Sequence, residues 1–228
     1  MDGPASRGKG ERAIARPQAL VAEVYDAILD RITGLEIAPG ARINVDTLAR
    51  ELGVSQTPVR EALSRLEAEG LVLKTHLIGH RAGPKLTRPQ IEQLFELRLL
   101  IEPAGAAMAA RNLDAGARTA IGRLHQEMGG LPGQSAPTYS EFSRKDAELH
   151  AAIAHASGNA FLADALTKLH THVHIFRLVV HTRVTAEAVV EHDALLDALL
   201  RGDPAASERA MHEHILASRD RVLTLLPR

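Results

Sequence analysis

The sequence contains no cysteine and no tryptophan, and only 3% of its 228 residues are aromatic. Without cysteine, neither a disulfide framework nor a thiolate metal site is possible. That fits a reducing cytoplasm, where the protein is expected to act. With so few aromatics, Leu, Ile, Val and Ala must fill the core, drawn from a hydrophobic content of 45%. Ala and Leu are strong helix formers, and runs of β-branched and aromatic residues are scarce, so a mainly α fold is expected. No apolar run approaches the ~18 residues that a membrane span needs. The opening "MDGPASRGKGERAIARPQ" has no apolar signal-peptide core and reads as a disordered arm over residues 1–16. No membrane partner is expected. A dominant charge is missing as well: the formal net charge is −1. Residues 1–75 carry 10 Lys and Arg against 11 Asp and Glu, so any nucleic-acid binding must come from a local patch. Histidine, by contrast, is abundant: there are 12, ten of them after residue 120.

Along the chain, Leu20, Val24, Ile28 and Ile32 recur at helical spacing, and the pattern predicts a helix over residues 19–32. "GLEIAPGARI" reads as a turn around Pro39 and Gly40. Asn44 can cap a second helix ending near Leu52, with Gly53 as its break. Ser55 or Thr57 can cap a third helix running to Glu69 and stopped by Gly70; in either register Pro58 falls in the first turn. "LVLKTH" and "HRAGPKL" read as two short strands around a tip at residues 77–79. Helix, helix, helix, hairpin is the order of a winged helix-turn-helix, placed at residues 17–85. Every later segment is helical in pattern. About six helices, the first with Pro103 placed to kink it, predict an all-α bundle over residues 86–228.

In a helix-turn-helix the second helix lies in the major groove with its N-terminal residues on bases and phosphates. Here those residues are Ser55, Gln56, Thr57 and Arg60. Gln can bond adenine through two hydrogen bonds, Arg can bond guanine O6 and N7, and Thr can meet a phosphate or a thymine methyl. Val59, Leu63 and Leu66 fall on the opposite stripe and would anchor the helix. Capping alone would explain Ser55 or Thr57 taken singly, but not the whole pattern. His80 and Arg81, near the wing, could also reach a minor groove.

"VDTLARELGVSQTPVREALSRLEAEGLV" resembles the DNA-binding domain of the GntR family of bacterial transcription regulators. The resemblance covers roughly residues 17–85. Gln56 stands where many members carry Arg, which implies a different operator. Arg50, and His76 at the wing, match positions that touch DNA in relatives.

"KDAELH" places Asp146 and His150 one helical turn apart, and an acid and an imidazole so spaced can share a metal. "EHDALL" offers His192 and "AMHEHI" offers His214. One carboxylate oxygen and three neutral imidazoles suit zinc, nickel or another divalent ion. His125, His155, His170, His172, His174, His181 and His212 read as solvated or hydrogen-bonded residues; His172 and His174, two apart, cannot share a helix face. The run of "ELRLLIE", Asp-x3-His, "SGN", "EH" with "RGD", and "HEHI" is similar to the FCD domain of the FadR subfamily, over roughly residues 86–226. The resemblance implies that Asp146, His150, His192 and His214 bind the metal, and that Arg98 faces an effector pocket as a two-pronged clamp on a carboxylate. The other reading of Arg98 is a helix-surface ion pair with Glu102.

A DNA-binding transcriptional regulator follows, a repressor released by a small carboxylate effector, acting as a homodimer on a pseudo-palindromic double-stranded operator. Two alternatives stand beside it. One is a constitutive DNA-binding regulator whose metal is only structural. The other is a metalloenzyme, for which no general base or lid is evident and the N-terminal head would have no purpose.

Overall fold

In the computed structural model, residues 15–76, 79–129, 139–176, 178 and 184–226 are described. The first helix, α1 (Ala15–Thr33), buries Val24, Ile28 and Ile32 at the expected spacing. It begins four residues before the expected start, because Pro17 is tolerated within a first turn, where its missing N–H has no intrahelical partner to lose. Residues 15 and 16, expected in the arm, are thus helical, and the rest of the expected arm, residues 1–14, lies outside the described residues.

After α1 the chain turns through Gly40, at φ +77°, into a two-residue strand, β1 (Arg42–Ile43). This strand corrects the reading of the segment as turn alone. Helix α2 (Val45–Glu51) is capped as expected: the Asn44 side chain accepts from the backbone N–H of Asp46 and Thr47 at 2.9 and 3.0 Å. Helix α3 (Gln56–Ala68) follows, with Ser55 at the N-cap position. Strands β2 (Val72–Thr75) and β3 (Gly79–Ala82) form the wing; their tip, residues 77–78, lies outside the described residues. Both outer strands pair antiparallel with β3, in the order β1-β3-β2, with Ile43 opposite His80 and Lys74 also opposite His80. Gly83 lets the wing close against the end of α3: a Cβ there would lie 2.7 Å from the Gly70 carbonyl oxygen. The core of this region lies between α1, α3 and the sheet, where Ile28, Ile32, Val59, Leu63, Leu66 and Val72 are fully buried.

The second region opens with α4 (Arg88–Asn112), started by a capping box between Thr87 and Gln90. Pro103 sits inside this helix, which continues past it. Then come α5 (Ala115–Gly129), α6 (Tyr139–Ala156), α7 (Ala160–Leu169), α8 (Thr171–Phe176), α9 (Val184–Arg201) and α10 (Pro204–Thr224). Helices α7 and α8 are separated by a single residue. The break is His170, which adopts a left-handed conformation at φ +45°, ψ +34°, uncommon for any residue but glycine. Helix α4 packs along α10, with α6 and α9 against them. At Gly105 a Cβ would lie 3.1 Å from a Leu162 methyl, so the glycine lets α7 approach α4 closely. The core holds Ile91, Phe95, Ile121, Leu149, Leu195 and Ile215, all fully or almost fully buried. Among the described residues, no helix is long and apolar enough to cross a membrane.

Candidate DNA interface and buried histidine cluster

Burial of Val59, Leu63 and Leu66 fixes the rotation of α3. Gln56, Thr57 and Arg60 are thereby left exposed, with Ser55 exposed beside them. Ser55 makes no capping hydrogen bond with its side chain, so capping does not explain its hydroxyl. Arg60 Nη2 donates to Gln56 Oε1 at 3.1 Å across one turn. Arg50 is exposed in the last turn of α2, and His76 is exposed just after β2. Arg60 and His76 line a groove of about 400 Å³ between α3 and the wing. Arg42 and Lys74 line the same groove, and the sequence pattern did not single them out. Arg42 is brought there only by the pairing of β1 with β3, and a two-residue strand has no periodicity to read. His80 lines this groove too, but it is only 6% exposed, and burial lowers its pKa, reinforced by Lys74. Arg81 is exposed, and its Nη1 donates to the Gly40 carbonyl at 3.1 Å.

In the helical region, α6 supplies Asp146 and His150, α9 supplies His192 and α10 supplies His214. One donor atom from each lies within 4.8 Å of the other three. His192 Nε2 is 3.2 Å and His150 Nε2 is 3.8 Å from Asp146 Oδ1. Even so, Asp146 Oδ1, His150 Nε2 and His192 Nε2 are buried and form no hydrogen bond among the described residues; the 3.2 Å approach lacks hydrogen-bond direction. Buried polar atoms of this kind are normally satisfied.

The opposite ring nitrogens are satisfied. His150 Nδ1 lies 2.5 Å from Glu102 Oε2, and His214 Nδ1 lies 2.8 Å from Glu191 Oε2. A carboxylate can only accept, so each Nδ1 carries the proton and each Nε2 keeps its lone pair. Each carboxylate is held in turn by an arginine: Arg98 Nε donates to Glu102 at 2.5 Å, and Arg221 Nη2 donates to Glu191 at 2.8 Å. Two parallel relays result, Arg98–Glu102–His150 and Arg221–Glu191–His214. The pair of Arg98 with Glu102 corrects the surface reading: the two side chains are 1% and 3% exposed.

Electrostatics follow from this geometry. Burial alone would raise the Glu102 carboxyl, but Arg98 and His150 hold it well below the usual range. Burial likewise opposes, and Arg221 and His214 overcome, at Glu191, which is brought down to about 2. Burial pushes His214 down to about 3 against the pull of Glu191, and it lowers His150 against that of Glu102. Burial would raise Asp146, yet His172 and its histidine neighbours bring it well below its ordinary value. At neutral pH the carboxylates are therefore ionised while His150 and His214 are neutral. One oxygen and three imidazole nitrogens, two of them backed by carboxylates, fit a divalent ion such as zinc or nickel.

Two cavities adjoin the cluster. One of about 40 Å³ is lined by Arg98, Phe142, Asp146, His172, His214 and Arg221, among others. Arg221 Nε is buried with no hydrogen-bond partner among the described residues. A larger cavity of about 270 Å³ is lined by His150, Leu166, Thr167, Thr171 and His172, among others. Arg221, Glu191 and His172 were missed in the sequence because each acts through a partner on another helix. Of the remaining histidines, His125 Nε2 lies 2.7 Å from Asp193, His155 and His212 are exposed, and His181 lies outside the described residues.

Residues 20–80 match the family model for bacterial regulatory proteins of the gntR family. Residues 93–217, more than half of the chain, match the FCD domain. The chain belongs to the GntR family of regulators, in its FCD-containing branch. It is 27% identical over 199 residues to the "Probable D-xylose utilization operon transcriptional repressor" of Paenarthrobacter nicotinovorans, covering 87% of this chain and 86% of that protein. It is 28% identical over 209 residues to the HTH-type transcriptional regulator LutR of Bacillus subtilis, covering 79% and 90%. Among solved structures, E. coli McbR/YncC has the same fold, with a TM-score of 0.71 and 21% identity over 90% of this chain and 97% of that one. This GntR–FCD chain is a DNA-binding transcriptional regulator, and its relatives are regulators rather than enzymes. The gntR head implies DNA binding, and the FCD domain implies a small-molecule effector.

Proposed function

We propose that this regulator is a repressor whose hold on its operator is set by a small carboxylate bound beside a divalent ion. The observation that carries the reading is the convergence of Asp146 Oδ1, His150 Nε2 and His192 Nε2, buried and without hydrogen bonds, next to a cavity edged by Arg98 and Arg221. Asp146, His150, His192 and His214 would hold the ion, zinc or nickel. When bound, the ion supplies Lewis-acid attraction for one carboxylate oxygen. The chain itself orients the acid. Arg221 Nε is a buried donor with no partner, and the guanidinium of Arg98 borders the same space. The small cavity limits the acid to a few atoms beside the donors, and the larger one lies across His172.

Residues 17–85 act as the reading head and residues 86–228 as the sensing and dimerising part. Thr57 and Arg60 meet the major groove, Gln56 sets a preference of its own, Ser55 and Arg50 meet phosphate, and His76 follows the wing. A two-fold homodimer reads a pseudo-palindrome in the cytoplasm. The acid shifts the two heads between arrangements by no more than its difference in affinity for them. The name of the Paenarthrobacter relative, an operon repressor, supports repression. A constitutive regulator with a structural metal gives no use to the partnerless Arg221 Nε.

The test is selection of bound duplexes from a random DNA pool by the full-length, zinc-loaded protein. Enrichment of an inverted repeat, eluted by a small carboxylate, is the expected result. Enrichment of single half-sites would refute the dimer, and elution by no acid would leave the metal structural.

A further inference from the structure

His172 touches the cluster from outside the four-donor set. Helix α8 starts immediately after the left-handed His170, and this sharp change of direction sets His172 against α6. Its Nδ1 lies 2.9 Å from Asp146 Oδ2, and its ring lies 5.0 Å from that of His150. The two oxygens of one carboxylate are thereby divided. Oδ2 is taken by His172, while Oδ1, buried and without a hydrogen bond, faces His192 and His150. His172 contributes no atom to the four-donor group. Nor is it a core filler: its side chain is 17% exposed and lines both cavities.

We propose that His172 is a positioning residue for the metal site. By donating from Nδ1 to Oδ2 it fixes the rotation of the Asp146 carboxylate and reserves a single oxygen, Oδ1, for the ion. Without that bond the carboxylate can turn, and both of its oxygens become available. A carboxylate ligand held by a second hydrogen-bonding partner is a common way to tune affinity, and loss of such a partner typically weakens metal binding 10- to 100-fold. The inference rests on the metal reading above and adds to it a residue that does not itself bind the ion.

The experiment uses the full-length protein and zinc. Zinc affinity is measured by competition with a chromophoric chelator for wild type, His172→Ala, His172→Asn and His172→Phe. X-ray absorption counts the imidazoles on zinc in wild type and His172→Ala. The expected result is one tight zinc in wild type and roughly 10- to 100-fold weaker binding in His172→Ala. His172→Asn, whose amide N–H can reach Oδ2, recovers most of the loss and His172→Phe does not, while three imidazoles are counted in both proteins. Wild-type affinity in His172→Ala would overturn the proposal. Rescue by Phe equal to that by Asn would make the role one of packing, and a drop of one imidazole in His172→Ala would make His172 a ligand; either also overturns it. A wild type that binds no zinc would remove the metal reading itself, and the positioning role with it.

Discussion

The head and the helical region place their polar groups in opposite ways. On α3 the groups offered to DNA are exposed, and a dry stripe of Val59, Leu63 and Leu66 holds them in position. In the helical region the polar groups are themselves the interior: Arg98, Glu102, His150, His192 and His214 are all at most 4% exposed. An exposed contact residue costs the fold little, so it can vary with the operator. A buried charged relay has to be complete, because a single lost partner strands another charge in a poorly solvated place. The chain therefore carries one region whose function can be altered without harming the fold, and one where function and stability are joined.

That contrast can be broken most severely at Glu102. Glu102→Gln leaves the Arg98 guanidinium buried without its counter-charge, and a loss of about 3–5 kcal/mol is expected in urea unfolding of the chelator-treated protein. A change under half of that would mean that Arg98 finds water. In the head, Arg60→Ala is expected to weaken operator binding roughly 10- to 100-fold, one good base contact being worth about 1–3 kcal/mol, with no change in melting temperature. Loss of fold together with binding would make Arg60 structural.

His192→Leu sharpens the comparison in the other direction. Both ring nitrogens of this fully buried side chain lack hydrogen bonds among the described residues. In metal-free protein the substitution is expected to stabilise by about 1–3 kcal/mol, the cost of an unsatisfied buried polar group, while zinc binding is lost. Destabilisation would show that His192 is satisfied without an ion. The smallest effect separates two helix starts in the head. Asn44→Ala is expected to cost about 1 kcal/mol because its side chain caps α2. Ser55→Ala, which removes no capping bond, should move thermal stability far less and act on DNA affinity instead. Equal losses of stability would contradict that distinction.

These differences also mark what could be read in the sequence. The buried stripe of α3 and the Asn44 cap are local patterns, and both were legible. So was the spacing of Asp146 and His150, because one helical turn fixes that relation before any packing occurs. His172 was not legible, since its bond to Asp146 depends on a left-handed histidine that ends α7 early, and no propensity places that break. Helical spacing pairs Arg98 with Glu102, but it does not tell whether the pair is wet or dry; only the packing of α4 along α10 decides that. His80 and Arg81 were equivalent neighbours in the sequence. Strand pairing buries one and leaves the other exposed, and a strand of four residues gave too little alternation to reveal it.

The most direct measurement is fluorescence anisotropy of the selected operator duplex bound to zinc-loaded full-length protein, titrated with a panel of two- to six-carbon mono- and dicarboxylates. The same titration is run on His192→Leu. The account predicts that at least one acid releases DNA from wild type, while the variant binds the duplex equally well and ignores that acid. No release from wild type by any acid, or equal release from the variant, would contradict it.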